Sequence, residues 1–252
     1  MIKSTYFLLV IPCYNEALAI PEFLKELVDF KNDYRQKIQK LELNIIAPKD
    51  LHVIFVNNNS TDDSGQHLRL FCNEHNFCSL IDCKTQGYGA ALKAGFSSQP
   101  SNYYAFTDLD GTYPLRYFIP MLQDIAKNES LGEGFDMYMT NRFSPHSQMP
   151  FLRKIGNYFY AFLCRGLFKS SLQDVCSGMR IWSKNKKTEI LSRPENGLDF
   201  SIALTAMALK KKWKIESFDI EYKERSGPSK LSVMKDGWLF LKTLVKVKFF
   251  EK

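Results

Sequence analysis

The chain has 252 residues, 45% of them hydrophobic and 24% charged, a globular composition that excludes a disordered or fibrous chain. Lysine and arginine outnumber aspartate and glutamate by 34 to 27, so the net charge is +7, which favours acidic partners such as sugar nucleotides, lipid phosphates or an anionic membrane surface. That charge is spread along the chain, with no recognition helix and no base-stacking motif, so nucleic acid is not expected as a partner.

The length suits one α/β domain with a substantial core. No apolar run reaches the roughly 18 residues of a spanning helix, and Phe7 to Pro12 is too short for a signal peptide. A cytoplasmic protein is expected, one that touches a membrane peripherally on its cytoplasmic face. Six cysteines without a disulfide framework fit a reducing compartment. His67, Cys72, His75, Cys78 and Cys83 have zinc-ligand chemistry but form no Cys-x-x-Cys knuckle, so free thiols and surface histidines are expected.

In chain order, Tyr6 to Pro12 is an unbroken apolar run, which predicts a strand buried on both faces. Ile20, Phe23, Leu24, Leu27 and Val28 then recur at helical spacing. The long charged connection Lys31 to Asp50 reads as a continued helix followed by an exposed loop. Leu51 to Val56 repeats the strand, Asn57 to Ser64 is a polar turn, and Gln66 to Asn76 reads as a helix with Ser60 or Thr61 as its N-cap and Asp62 and Asp63 in its first turn. Ser79 to Asp82 is a third strand. Gln86 to Gly95 is a glycine loop entering an alanine-rich helix; Gly87 and Gly89 suit a tight turn better than a P-loop, since no Lys-Ser/Thr follows. The alternation predicts a mostly parallel sheet flanked by helices.

Tyr103 to Phe106 is the fourth strand, and it leads into Asp108-Leu-Asp110 and Gly111. Open parallel sheets bind ligands at the carboxyl ends of their strands. Two acids there can share one hard cation, although Asp-x-Asp alone serves a turn equally well. Farther on, Asp136 to Thr140 is a strand before Asn141-Arg142, and Phe151 to Phe168 is an aromatic-rich helix with four basic residues in or beside it. Asp174 to Trp182 is a loop entering a short strand, Leu198 to Lys212 a helix, and Lys214 to Tyr222 a strand. Lys223 to Lys230 is a basic loop, and Ser232 to Lys252 an amphipathic cationic helix suited to packing or to anionic lipid.

Five of these pieces stand in a telling order: Ile11-Pro-Cys-Tyr-Asn-Glu16, Asn58 to Asp62, Gly87 to Gly95, Asp108-Leu-Asp110 and Ser177-Gly-Met-Arg180, followed by Arg225-Ser-Gly-Pro-Ser-Lys230. Together they resemble family 2 glycosyltransferases, nearest to the dolichol-phosphate mannose synthase and polyprenyl-phosphate hexosyltransferase branch. The resemblance spans about Phe7 to Trp238 and implies a GT-A fold, the Rossmann-like nucleotide-diphospho-sugar transferase fold. It implies one domain: a nucleotide-binding half over about 1–112, an acceptor half over about 113–231, and a terminal helix over about 232–252.

The resemblance also implies roles. Pro12, Tyr14, Asn15 and Glu16, with Asn57, Asn58 and Asp62, would hold the base and ribose. Asp108 and Asp110 would bind Mg²⁺ or Mn²⁺ across the diphosphate, with Thr112 a further ligand position. Arg142, Arg180 and Arg225 would approach donor or acceptor phosphates, where a planar guanidinium suits bidentate contact. Gly87, Lys93 and Lys230 complete the set. Asn57 and Asn58 replace an acidic pair common in relatives, which puts the base in question.

Asp174 and Asp199 are the carboxylates for base or positioning work, needed if the acceptor is a hydroxyl. A phosphate acceptor, with its second pKa near 6, needs no base. The expected activity is inverting transfer of a hexose to a polyprenyl phosphate, dolichyl or undecaprenyl. Transfer to a sugar or protein hydroxyl in surface polysaccharide synthesis, and an inactive sugar-nucleotide-binding scaffold, are the alternatives.

Overall fold

Tyr6–Cys13 forms β1, and its unbroken apolar run is explained by the two layers it divides. Phe7, Leu9 and Ile11 enter one core with Phe23, Leu27 and Phe118, while Leu8 and Val10 enter the other with Phe96, Trp182, Ala206 and Leu244. Side chains alternate across a strand, so a strand covered on both faces must be apolar throughout. Each fully buried Leu or Phe contributes about 1.5–3 kcal/mol of transfer free energy.

The structure is a computed structural model that describes residues 6–38, 50–227 and 229–251. After β1 come α1 (Ile20–Lys37), β2 (Asp50–Asn57), α2 (Ser64–Glu74), β3 (Cys78–Asp82), α3 (Tyr88–Ser97) and β4 (Tyr103–Phe106). The second half adds α4 (Phe118–Ser130), β5 (Met137–Asn141), α5 (Phe151–Phe168), β6 (Arg180–Ser183), α6 (Lys187–Leu191), α7 (Phe200–Lys210), β7 (Ile215–Asp219) and α8 (Val233–Phe249). The strand order is β3-β2-β1-β4-β6-β5-β7. β1 pairs parallel with β2 and β4, β2 with β3, and β5 with β7; β6 alone runs antiparallel to its neighbours β4 and β5. The sheet is therefore mostly parallel, as expected.

The Lys31-to-Asp50 connection begins as continued helix, as expected, because α1 runs on to Lys37; residues 39–49 lie outside the described residues. Two points differ from expectation. α2 starts at Ser64 with Asp63 as N-cap and no side-chain cap, so neither Ser60 nor Thr61 caps it. Their hydroxyls bond Asn15 instead. α4 was not among the expected elements; Pro120 sits in its first turn, where its missing N–H costs nothing.

α8 both packs and faces outward. Phe240, Leu244 and Val247 are buried, whereas Met234, Trp238 and Phe249 are exposed. Lys210 Nζ donates to the carbonyls of Val247 (2.8 Å), Lys248 (3.2 Å) and Glu251 (2.5 Å), which satisfies the free carbonyls at that helix end.

Candidate active site

β4 ends just before Asp108 and Asp110, and the chain turns at Gly111, whose φ is +77°. Each carboxylate is held by an internal donor. Tyr88 donates its hydroxyl to Asp108 Oδ1 at 2.8 Å. Asp110 Oδ1 accepts the Thr112 N–H at 3.1 Å and its hydroxyl at 2.6 Å. Asp110 Oδ2 pairs with the Arg225 guanidinium, whose other nitrogen pairs with Glu16. Ser226 N donates to the Asp110 carbonyl (3.1 Å), and Lys230 Nζ reaches the Asn15 carbonyl (2.8 Å) and Glu16 Oε1 (3.3 Å). Arg225, Ser226 and Lys230 thus reach back to both the β1 loop and the aspartates. Burial and then the charge of Asp110 push Asp108 up to about 7. Burial also raises Glu16, against the opposing pull of Arg225 and Lys230.

Gly178 explains how the pair fits under the chain. A Cβ on it would lie 2.5 Å from Asp108 Oδ2 and 3.2 Å from the Tyr113 ring. The Gly178 N–H donates to Tyr113 Oη at 2.7 Å.

The nucleotide-side loops are stitched to one another. Asn15 has φ +52°, accepts the Thr61 N–H on Oδ1 (2.7 Å) and donates its own N–H to Ser60 Oγ (3.1 Å). Asp62 accepts from Ala17 N (3.1 Å) and Ser64 N (3.0 Å). Burial works to raise Asp62, but bonds from Ser64 and Ala17 outweigh it and hold it below the usual carboxylate range.

Asn57 donates to Asp82 Oδ1 (2.8 Å) and accepts the Ser60 N–H (3.1 Å). Asn58 is buried, donates to the carbonyls of Cys83 and Thr85, and accepts the Gly87 N–H at 2.7 Å. Asn15, Asn58 and Asp62 therefore tie the loops after β1, β2 and β3 together, while Tyr14 is exposed. In this structure the Asn58 side chain and the Gly87 N–H are bonded inward, to each other and to the carbonyls after β3. The expected tight turn is present: Gly87 has φ +133°, and a Cβ there would strike the Asn196 carbonyl at 2.1 Å.

The second-half residues divide differently from expectation. Arg142 and Asp174 form a buried bidentate pair, at 2.6 and 2.8 Å, with the Arg142 N–H also on Asp174 at 3.1 Å. Asp174 is saturated by that pair and is no free base, and Arg142 is no free phosphate ligand. Arg180 is wholly buried, its Nε on the Ser177 carbonyl (2.9 Å) and its Nη1 without a partner. Burial pushes it down to about 10. It braces the turn carrying Gly178 through the Ser177 carbonyl. Asp199 stands at the N-cap position of α7 without a side-chain capping bond and accepts from Thr243 of α8 at 3.0 Å, and Lys93 is committed to the Arg193 carbonyl at 2.8 Å.

Around the aspartates themselves the structure gathers Asp108, Asp110, Glu16, Asn15, Arg225 and Lys230. Sequence reasoning missed Tyr88, Tyr113 and Gly178 as partners of Asp108. Gly178 and Tyr88 lay inside quoted motifs, but nothing in either motif pointed at an aspartate.

The aspartate pair fits a hard divalent cation: Asp110 Oδ2 already faces a cation, the Arg225 guanidinium, and both carboxylates are oriented by donors. Among the described residues no group of three or more His, Cys, Asp or Glu could hold a metal ion. A bound ion would therefore complete its shell from water and substrate oxygens.

The sequence profile of Glycosyl transferase family 2 matches residues 8–191, from β1 through α6. The chain belongs to glycosyl transferase family 2. Among similar proteins, this glycosyltransferase is 29% identical over 169 residues to a dolichyl-phosphate hexose transferase of Haloferax volcanii, covering 67% of this chain and 71% of the relative. It is 22% identical over 261 residues to a dolichyl-phosphate beta-glucosyltransferase of Dictyostelium discoideum, covering 98% and 75%. Glucosyl-3-phosphoglycerate synthase of Mycobacterium tuberculosis, solved with Mn²⁺, UDP and glucosyl-3-phosphoglycerate, superposes with a TM-score of 0.70 at 15% identity, covering 98% and 81%. The fold of this glycosyltransferase is GT-A.

Proposed function

We propose that the protein works as one domain that transfers a hexose, with inversion, from a nucleotide-diphosphate sugar to a polyprenyl phosphate such as dolichyl or undecaprenyl phosphate. The observation that carries this reading is the likeness to dolichyl-phosphate hexosyltransferases over most of the chain, and the candidate base Asp174 is committed to Arg142. A hydroxyl acceptor would need such a base, whereas a phosphate is largely dianionic at pH 7. The names of the Haloferax and Dictyostelium relatives support the lipid-phosphate acceptor.

Asp108 and Asp110 would hold Mg²⁺ or Mn²⁺, which supplies Lewis-acid stabilisation of the leaving diphosphate when bound. Arg225 and Lys230 now neutralise Asp110 and Glu16; with donor present their donors can turn to phosphate oxygens, to which guanidinium and ammonium bind strongly. An acceptor phosphate oxygen attacks the anomeric carbon, the bond from that carbon to the diphosphate oxygen breaks, and its electron pair leaves with the nucleoside diphosphate. No proton has to be removed from the acceptor. Tyr14, Asn15, Asn57 and Asp82 line the strand ends where the base and ribose would lie.

The lipid tail has a place to rest. α5 carries an outward stripe, Phe151, Ile155, Tyr158 and Phe162, and α8 another, Trp238 and Phe249 among them. The helices are joined by Tyr160 Oη donating to the Gly237 carbonyl at 2.7 Å. Lysines and arginines beside both stripes suit an anionic membrane surface. Among the described residues no helix is long and apolar enough to cross a membrane.

The test supplies UDP- and GDP-hexoses with undecaprenyl phosphate or a free sugar, with and without Mn²⁺. Mn²⁺-dependent transfer to the lipid phosphate, lost in Asp110→Asn, is expected; transfer only to the sugar hydroxyl would overturn the reading. Wild-type protein is expected to bind phosphatidylglycerol vesicles at low salt, and a Phe162→Ser, Trp238→Ser protein to bind them several-fold more weakly.

A further inference from the structure

Tyr88 opens α3, and its backbone is fixed from both sides. Gly87 N–H donates to Asn58 Oδ1 at 2.7 Å, and Gly89 N–H to the Gly197 carbonyl at 3.2 Å. The phenol ring stands edge-on to Phe106, the last residue of β4, with centroids 6.3 Å apart. Its hydroxyl therefore arrives at Asp108 Oδ1 from an anchored frame, at 2.8 Å.

The two aspartates are held in the same manner. Thr112 takes Asp110 Oδ1 and leaves Oδ2 to a cation, at present Arg225. Tyr88 takes Asp108 Oδ1, while Oδ2 abuts the Gly178 backbone, where a Cβ would come within 2.5 Å. A donor on one side and a bare glycine on the other leave the Asp108 carboxylate a single orientation. Donors behind a ligating carboxylate commonly change metal affinity by about 10–100-fold.

We infer that Tyr88 is a positioning residue for metal binding, acting through Asp108 and tying the glycine loop to the cation site. The inference rests on the metal reading above. Tyr88 itself touches no substrate in this scheme; its hydroxyl pre-orients a ligand.

The experiment titrates Mn²⁺ alone, read by the EPR signal of the free ion, into wild type, Tyr88→Phe, Asp108→Asn and the double variant, with thermal melts alongside. Phe keeps the ring packing and removes only the hydroxyl. The expected result is Mn²⁺ affinity about tenfold weaker or more in Tyr88→Phe, with no additional loss when Tyr88→Phe is combined with Asp108→Asn. Equal affinity in wild type and Tyr88→Phe overturns the inference, even if the melting temperature falls. An undiminished effect of Tyr88→Phe in the Asp108→Asn background also overturns it, because the hydroxyl would then act elsewhere. If wild type binds no Mn²⁺, the metal reading itself fails and this inference fails with it; weaker binding in Asp108→Asn than in wild type secures that reading independently of Tyr88.

Discussion

Gly178→Ala is the sharpest perturbation of this site. The φ of Gly178 is outside the left-handed region, so alanine can adopt the backbone and the whole effect comes from one methyl group. That methyl would sit 2.5 Å from Asp108 Oδ2 and 3.1 Å from its Cγ, closer than the 3.0 Å that real Cβ atoms keep in the first case. Asp108 cannot swing aside freely, because Tyr88 holds its other oxygen. Gly178 cannot retreat freely either, because its N–H is bonded to the fully buried Tyr113.

Overpacking of this kind costs about 1–3 kcal/mol. In a chain of this size each kcal/mol moves the melting temperature by about 2–4 °C, so a fall of roughly 2–12 °C is expected. Displacement of the carboxylate should also weaken Mn²⁺ binding about 10–100-fold. Melting followed by circular dichroism and Mn²⁺ titration read both effects. Adding Asp108→Ala to Gly178→Ala should restore the melting temperature without restoring Mn²⁺ binding. Unchanged melting and unchanged Mn²⁺ affinity in Gly178→Ala would refute the clamp.

Three further outcomes follow from the same geometry. Asp108 holds its proton more tightly folded, at about 7, than at the ordinary 3.8; its contribution is full below about 4 and is lost as pH rises through 7. Metal-free protein should therefore melt lower at pH 8 than at pH 5.5, and Asp108→Asn should flatten that slope in a calorimetric pH series. Arg225→Gln should raise the affinity of nucleotide-free protein for Mn²⁺ severalfold, since a competing cation is removed from Asp110, while transfer activity falls; isothermal titration and a product assay check the two halves. Asp174→Asn leaves Arg142 buried without its counter-charge and should destabilise the fold by about 3–5 kcal/mol in urea unfolding, with the vesicle affinity unchanged.

How much could be read in advance varies by level. Strand and helix identity was legible wherever one periodicity dominated, as in β1, whose residues are apolar because both faces are covered. α4 was not, because prolines that usually break helices are harmless in a first turn. The ordered motifs identified the family, since each is a local stretch with its own spacing. The partners of single residues were not legible. Arg142, Arg180 and Asp174 are of the right types for phosphate or base chemistry, yet the fold buries the first and third against each other and seals the second under Phe106.

The amino-acid sequence by itself determined the alternating layers, the strand-end loops and the carboxylate pair Asp108 and Asp110, because all of these are set by neighbours a few residues apart. Only the tertiary structure decided which partners those carboxylates have. Tyr88 lies 20 residues before Asp108, Gly178 lies 70 after it, and Arg225 lies 115 after Asp110. Contacts at such separations arise from chain closure and packing, and leave no periodicity or spacing in the sequence from which they could be read.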